Sequence, residues 1–366
     1  MGFTPLDNLS ADGVATTLIQ YLTEIQLPVT SCIAQSYDGA AVMAGVNSGV
    51  QVIVRDAAGN PCPYVHCHAH RLNLVLVDVA KQIDWVSDAF GLLEAVYAFQ
   101  SVSPLRHKLF RDSQANEDEI LAIPQQSDTR WVCKYAGVHY FHSRLHCVLA
   151  ALATATKSRN GREKADARGL LLQLKSFDFI MILCLLHDLL PITQTLSLQL
   201  QSPSLDLSSC QLLVAACTAC LQEKRCDEYF GLIWSEAGTK SAEIGVKVPH
   251  TQDQSQPGRE GETTTGRRVS RPSQLVSDSN LITYMTTGNR TVTGTTDVQV
   301  LYRRKVFSVI DTMVGELQRR FSKNDELYSA VAACEPRSPL FLSTENIVKI
   351  ANTYEPVKVR IEPVLL

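Results

Sequence analysis

The stretch FIMILCLLHDLLPI, Phe179 to Ile192, constrains the fold more than any other part of the chain. A segment apolar on every side cannot lie on a surface as an amphipathic helix; it needs partners all round. It is shorter than the ~20 residues that cross a bilayer, and it carries His187, Asp188 and Pro191. It therefore reads as a buried helix and not as a membrane span. Helical spacing surrounds it: residues 138–156, 164–201 with a kink at Pro191, 209–233 and 298–322 all fit the pattern. In the last of these, Tyr302, Val306, Val309, Met313 and Leu317 form one stripe, with Arg303, Arg304, Arg319 and Arg320 near the ends. Residues 245–279 are polar and rich in Gly, Pro, Ser and Thr, and read as a disordered linker.

The first hundred residues differ. Ser10 can cap a helix whose apolar positions are Val14, Leu18, Ile19, Leu22 and Ile25, with Pro28 closing it. Residues 30–35 read as a short buried strand and Asp38-Gly39 as the turn after it. Residues 50–54 fit strand or helix, 56–63 a loop, and 64–67 a second short strand. Helical spacing returns over 72–86 and 89–99. The order α-β-α-β-α predicts a half-sized α/β unit in front of an all-α region.

Composition excludes some classes of function. The 366 residues suffice for two domains, and the 45% apolar content suffices for a large core. The net charge of −3 supplies no global field for nucleic acid, so any such contact has to be local. The 11 cysteines read as scattered, with no C-x-x-C pair and no regular framework, and so as free thiols in a reducing compartment. The first residues show neither a basic region nor an apolar core of a secretory signal, and Leu6 stands where myristoylation requires Ser or Thr.

Four constellations carry possible chemistry. Asp38 is either a metal ligand at a strand end or ordinary Asp-Gly turn chemistry. In VHCHAHRLNLVL, Cys67 and His70 are either two zinc ligands or braces of a strand-to-helix junction; zinc needs about four ligands, and no second cluster follows at finger spacing. In SDTRWVCKY, Arg130 and Trp131 either stack on a base or start and anchor a helix, and Lys134 and Arg144 are the nearest further cations for a phosphate. GRRVSRP, with Arg267, Arg268 and Arg271, is a basic patch suited to nuclear import or a phosphate contact.

Taken in order, SYDGAAVMAGVNSGVQ, YVHCHAHRLNLVLVD and SDTRW about sixty residues on resemble the hAT superfamily of DNA transposases, and in particular its zinc finger MYM-type 1-like group. GLLLQLKSFDFIMIL and YRRKVFSVIDTMVGELQRRFS look like later segments of that group. The resemblance implies an RNase H-like catalytic fold interrupted by a large helical insertion. In active members three carboxylates hold two Mg²⁺ or Mn²⁺ ions for DNA cleavage and joining. Asp38 matches the second carboxylate, Cys67 and His70 the CxxH element, and Arg130 with Trp131 the RW element, whose tryptophan lies near a flipped base in active relatives.

The other two carboxylates have no evident match. Asp7 and Asp12 fall in a loop and a helix start rather than an apolar strand, and Glu316 fits an earlier helix better than the third carboxylate. The expected organisation is a truncated RNase H-like unit of about two strands over 1–135, and a helical insertion over 136–244. A linker over 245–280, a returning helix over 281–330 and a weakly structured tail over 331–366 follow. The expected function is a catalytically inactive transposase-like protein with no complete metal site and no cofactor of its own. It binds DNA weakly or a protein partner, itself included, in the nucleus or else the cytoplasm. Two alternatives stand beside it: an active transposase completed by a longer isoform or a partner chain, and a purely helical interaction module.

Overall fold

The computed structural model describes residues 4–125, 131–202, 207–249, 298–321, 330–336, 338 and 340–354. Among them the protein is mostly helical, with one two-stranded parallel sheet. The chain divides into two compact units, Met1–Lys247 with Val306–Leu366, and Val248–Lys305. Of the second, residues 248–249 and the start of one long helix are described. The linker expected over 245–280 lies, from residue 250 on, outside the described residues, as do Arg267, Arg268 and Arg271.

The first helix, α1 (Ala11–Glu24), is capped by the Ser10 side chain, which accepts the Gly13 N–H. A 3-10 turn, Val29–Ser31, occupies the place where a strand was expected to begin, and strand β1 is Gln35–Tyr37. After the short α2 (Ala41–Ala44), residues 50–54 fall in a helix, α3 (Val50–Ala58), which takes up the first part of the expected 56–63 loop. Helical spacing decided there: Val50, Val54 and Ala58, four apart, are its buried positions. Gly59 closes α3 at φ 66, where any side chain is strained. Strand β2 (Tyr64–His66) then pairs parallel with β1, Gln35 opposite Tyr64 and Tyr37 opposite His66. A parallel pair needs a crossover, and α2 and α3 supply it.

The helical region is continuous from there: α4 (His68–Gln82), α5 (Asp84–Ser101), α6 (Pro104–Asp112), α7 (Trp131–Ala155), α8 (Gly161–Leu174), α9 (Phe177–Leu200), α10 (Leu207–Glu223) and α11 (Asp227–Glu243). The long helices drawn from periodicity are split. The 164–201 segment breaks at Lys175 and not at Pro191, because Ser176 caps a new helix by accepting the Phe179 N–H. The 209–233 segment breaks before Asp227, and α6, which periodicity missed, starts at Ser103-Pro104 with the serine as cap and the proline in the first turn. Two more helices close the described chain, α12 (Val298–Phe321) and α13 (Thr344–Tyr354). The tail is thus helical in part, and the Tyr354 hydroxyl donates to the Ile33 carbonyl at 2.8 Å.

α9 is the axis of the core. It packs against α4, α5, α7, α8, α10 and α11, and Ile180, Met181, Leu183, Leu185, Leu186 and Leu189 are buried almost completely. Each such side chain contributes ~1.5–3 kcal/mol by leaving water. The helix runs to 24 residues, long and apolar enough to cross a membrane, but two-thirds of its most apolar window is covered by protein. The sheet has a smaller core of its own, Ala15, Val50 and Val54 with Leu18, Val29, Tyr37 and Ile53 around them.

Candidate functional site

The resemblance points to the ends of the two strands. β1 stops at Tyr37, and Asp38 follows with an exposed side chain. Its Oδ1 accepts the Ala40 N–H at 3.1 Å, which makes Asp38 the first residue of an Asx turn. From β2, the Tyr64 hydroxyl donates to the Asp38 carbonyl oxygen at 2.7 Å and fixes the backbone of the turn. Gly39 is needed for space: a Cβ there would lie 2.5 Å from His66 Cε1 and 2.6 Å from its Nε2. The His66 ring therefore lies directly on the turn, with Tyr64 stacked beside it at 6.3 Å. Its buried Nε2 has no hydrogen-bond partner among the described residues. Burial, reinforced by Arg71 and His70, pushes the His66 pKa down to about 4, so the ring is neutral at ordinary pH.

Cys67 links sheet to helix. Its N–H donates to the Tyr37 carbonyl at 2.9 Å, extending the parallel ladder, and its carbonyl accepts the Arg71 N–H at 3.0 Å as α4 begins. His70, one turn into α4, packs its ring 5.3 Å from that of His66. The CxxH residues are thus built into the strand-to-helix junction.

Arg130 lies outside the described residues, and Trp131 is the first residue of α7. Lys134, expected as a phosphate contact, is buried instead, with its ammonium 4.4 Å from the centroid of the Phe90 ring. Arg144 also turns inward, pairing with Glu117 at 2.8 Å, and it interrupts α7 with non-helical angles of φ −118 and ψ 18. His146 and Arg144 together hold the Glu117 carboxyl below the usual carboxylate range. Both oxygens of Glu316 are engaged as well: Oε1 accepts from Gln82 Nε2 at 2.8 Å, and Oε2 from Arg319 Nε at 2.9 Å. Arg319 and Arg320 also pair with Asp78, so this network ties α12 to α4.

Three arrangements were not foreseen. Cys32 and Cys62, thirty residues apart, bring their sulfurs to 3.5 Å, and burial pushes the Cys62 thiol up to about 12. The expectation of no C-x-x-C pair is wrong: Cys217 and Cys220 form one, and on α10 Cys217 is buried and Cys220 exposed. Among the described residues, three potential metal donors come within 4.8 Å of one another in two places, Glu117–His146–Cys147 and His142–His187–Glu236. Asp38, Cys67 and His70 belong to neither. The available signal was two ionisable residues, His187 and Asp188, inside the most apolar run of the chain.

No protein-family model matches the chain, and no solved structure matches it.

Proposed function

We propose that this chain is a transposase-like protein of the hAT type that acts by binding and does not cut DNA. The supporting observation is how Asp38 is used. Its carboxylate closes its own turn, and the strand it follows is three residues long with, among the described residues, one three-residue neighbour. Two-metal cleavage needs several carboxylates held on a rigid support, aimed at ions that otherwise keep their water. A pair of three-residue strands is a poor support for that geometry.

DNA contact in this reading is local and weak. With a net charge of −3 and with Lys134 and Arg144 turned inward, binding rests on few phosphates and falls steeply with salt. The test is a pair of assays on the purified chain. With Mg²⁺ or Mn²⁺ and a transposon-end duplex, no strand is cleaved or joined, and Asp38→Asn behaves as the parent does. Cleavage that Asp38→Asn abolishes would sink the proposal. In the second assay, Trp131→Ala leaves the weak affinity for a duplex with an unpaired base unchanged once corrected for folded fraction. A specific loss of that affinity at unchanged stability would restore Trp131 to base stacking.

A further inference from the structure

His142 on α7, His187 on α9 and Glu236 on α11 meet where three helices pack together. His142 Nε2 lies 2.7 Å from Glu236 Oε1, and the rings of His142 and His187 are stacked at 3.6 Å with 5° between their planes. The donor atoms of all three lie within 4.8 Å of one another. We propose that these three side chains bind one late first-row divalent ion, zinc in the first instance, with water in the fourth position.

Two imidazoles and a carboxylate are a donor set suited to zinc, and three protein ligands leave one tetrahedral position open. Ligands from facing helices are how helical bundles build metal sites. Tetrahedral bonds of about 2.0–2.1 Å place donors roughly 3.3 Å apart, so donors now within 4.8 Å of one another need to close by up to about 1.5 Å. The stacked rings have to tilt apart, since each must bring a nitrogen lone pair to the ion in its own plane. The backbone leaves some slack there: Pro191 has no N–H for the His187 carbonyl one turn before it.

The surroundings suit a held ion. The side chain of Glu236 is 39% exposed and that of His142 14%, which leaves a path from solvent. Cys184, one turn before His187 on the same helix, is fully buried and is not one of the three donors. His139, one turn before His142 on α7, stacks its ring 5.6 Å from that of His187. The opposing charge is Lys240, whose ammonium is tied to the His142 carbonyl at 2.9 Å. The other donor group differs, because its Glu117 is already paired with Arg144.

The test is metal binding by the full chain, stripped with a chelator and dialysed. Zinc titrated against a chromophoric competitor is expected to bind once per chain and to raise the melting temperature. His187→Ala and Glu236→Gln should each weaken binding beyond the ~10–100-fold that outer partners contribute. Cys67→Ala and His146→Ala should leave it unchanged. Circular dichroism identifies any variant that is lost to unfolding, and His142→Gln then serves in its place. Cobalt in place of zinc should show tetrahedral visible bands without sulfur-to-metal charge transfer. Absence of stoichiometric zinc, zinc retained by folded His187→Ala and Glu236→Gln, loss confined to Cys67→Ala, or a charge-transfer band would each overturn the assignment.

Discussion

The strand junction and the helical bundle differ in how their side chains are used. At the junction, polar groups do the fastening: Asp38 caps a turn, Tyr64 holds its carbonyl, and the Gln35 amide donates to the Gln51 and Cys62 carbonyls. Its apolar core is three buried residues with a partly buried rim. In the bundle, α9 is covered on nearly every side from Phe177 to Leu190, and much of its stability comes from area removed from water. A region held by hydrogen bonds gains little net free energy from each, since water competes for the same groups. The junction should therefore open before the bundle does.

Four measurements bear on that contrast. Leu186→Ala, at a fully buried position of α9, should cost about 2–5 kcal/mol in chemical denaturation. Val54→Ala should cost only about 1–2 kcal/mol, for two methyl groups leaving the junction core. An equal cost at both positions would erase the difference between the regions. Local backbone effects should not distinguish them. Gly59→Ala at the junction places a side chain at φ 66 and should cost about 1–2 kcal/mol. Asn160→Ala in the bundle removes the cap that accepts the Arg162 and Glu163 N–H groups and should cost about 1 kcal/mol. If Asn160→Ala proves as damaging as Leu186→Ala, packing is not what sets the bundle apart.

The smallest effect is read by its sign. Burial pushes His66 and His68 from 6.5 to about 4, so between those values the unfolded chain binds more protons than the folded one. The histidine contribution to stability is complete above about pH 6.5 and is lost as pH falls towards about 4. Amide exchange in α3 and α4 should accelerate from pH 7 to pH 5 after correction for intrinsic rates. Exchange that slows there would reverse the sign and place a charged partner beside these rings.

Local chemistry was legible where one residue carries it. Ser10 capped α1, Asp38-Gly39 turned after a strand, and Val309, Met313 and Leu317 faced inward on α12 as their spacing requires. Helix ends inside long apolar stretches were not legible, because Ser176 and Cys226 break runs that periodicity alone continues. The strand expected over 30–35 is found over 35–37, because a 3-10 turn forms immediately after Pro28. Lys134 was read as a surface cation from its charge, although a helix face decides exposure, and its face meets Phe90. The His142–His187–Glu236 group is spread over three helices, so the ionisable His187 in the apolar run could mark the place but not its partners.

The enclosure of α9 by helices on both sides of it in the chain has a consequence for the order in which the protein is made. A ribosome releases α9 before α10 and α11, which complete its enclosure. At roughly 5–20 residues per second, the stretch from Leu200 to Glu243 takes about 2–9 s to synthesise. Throughout that interval a 24-residue apolar segment has only its earlier neighbours as cover. The nascent chain is then an attractive client for chaperones and a target for quality control. Slower translation over α10 and α11 should lower the yield of folded protein without changing its stability once made.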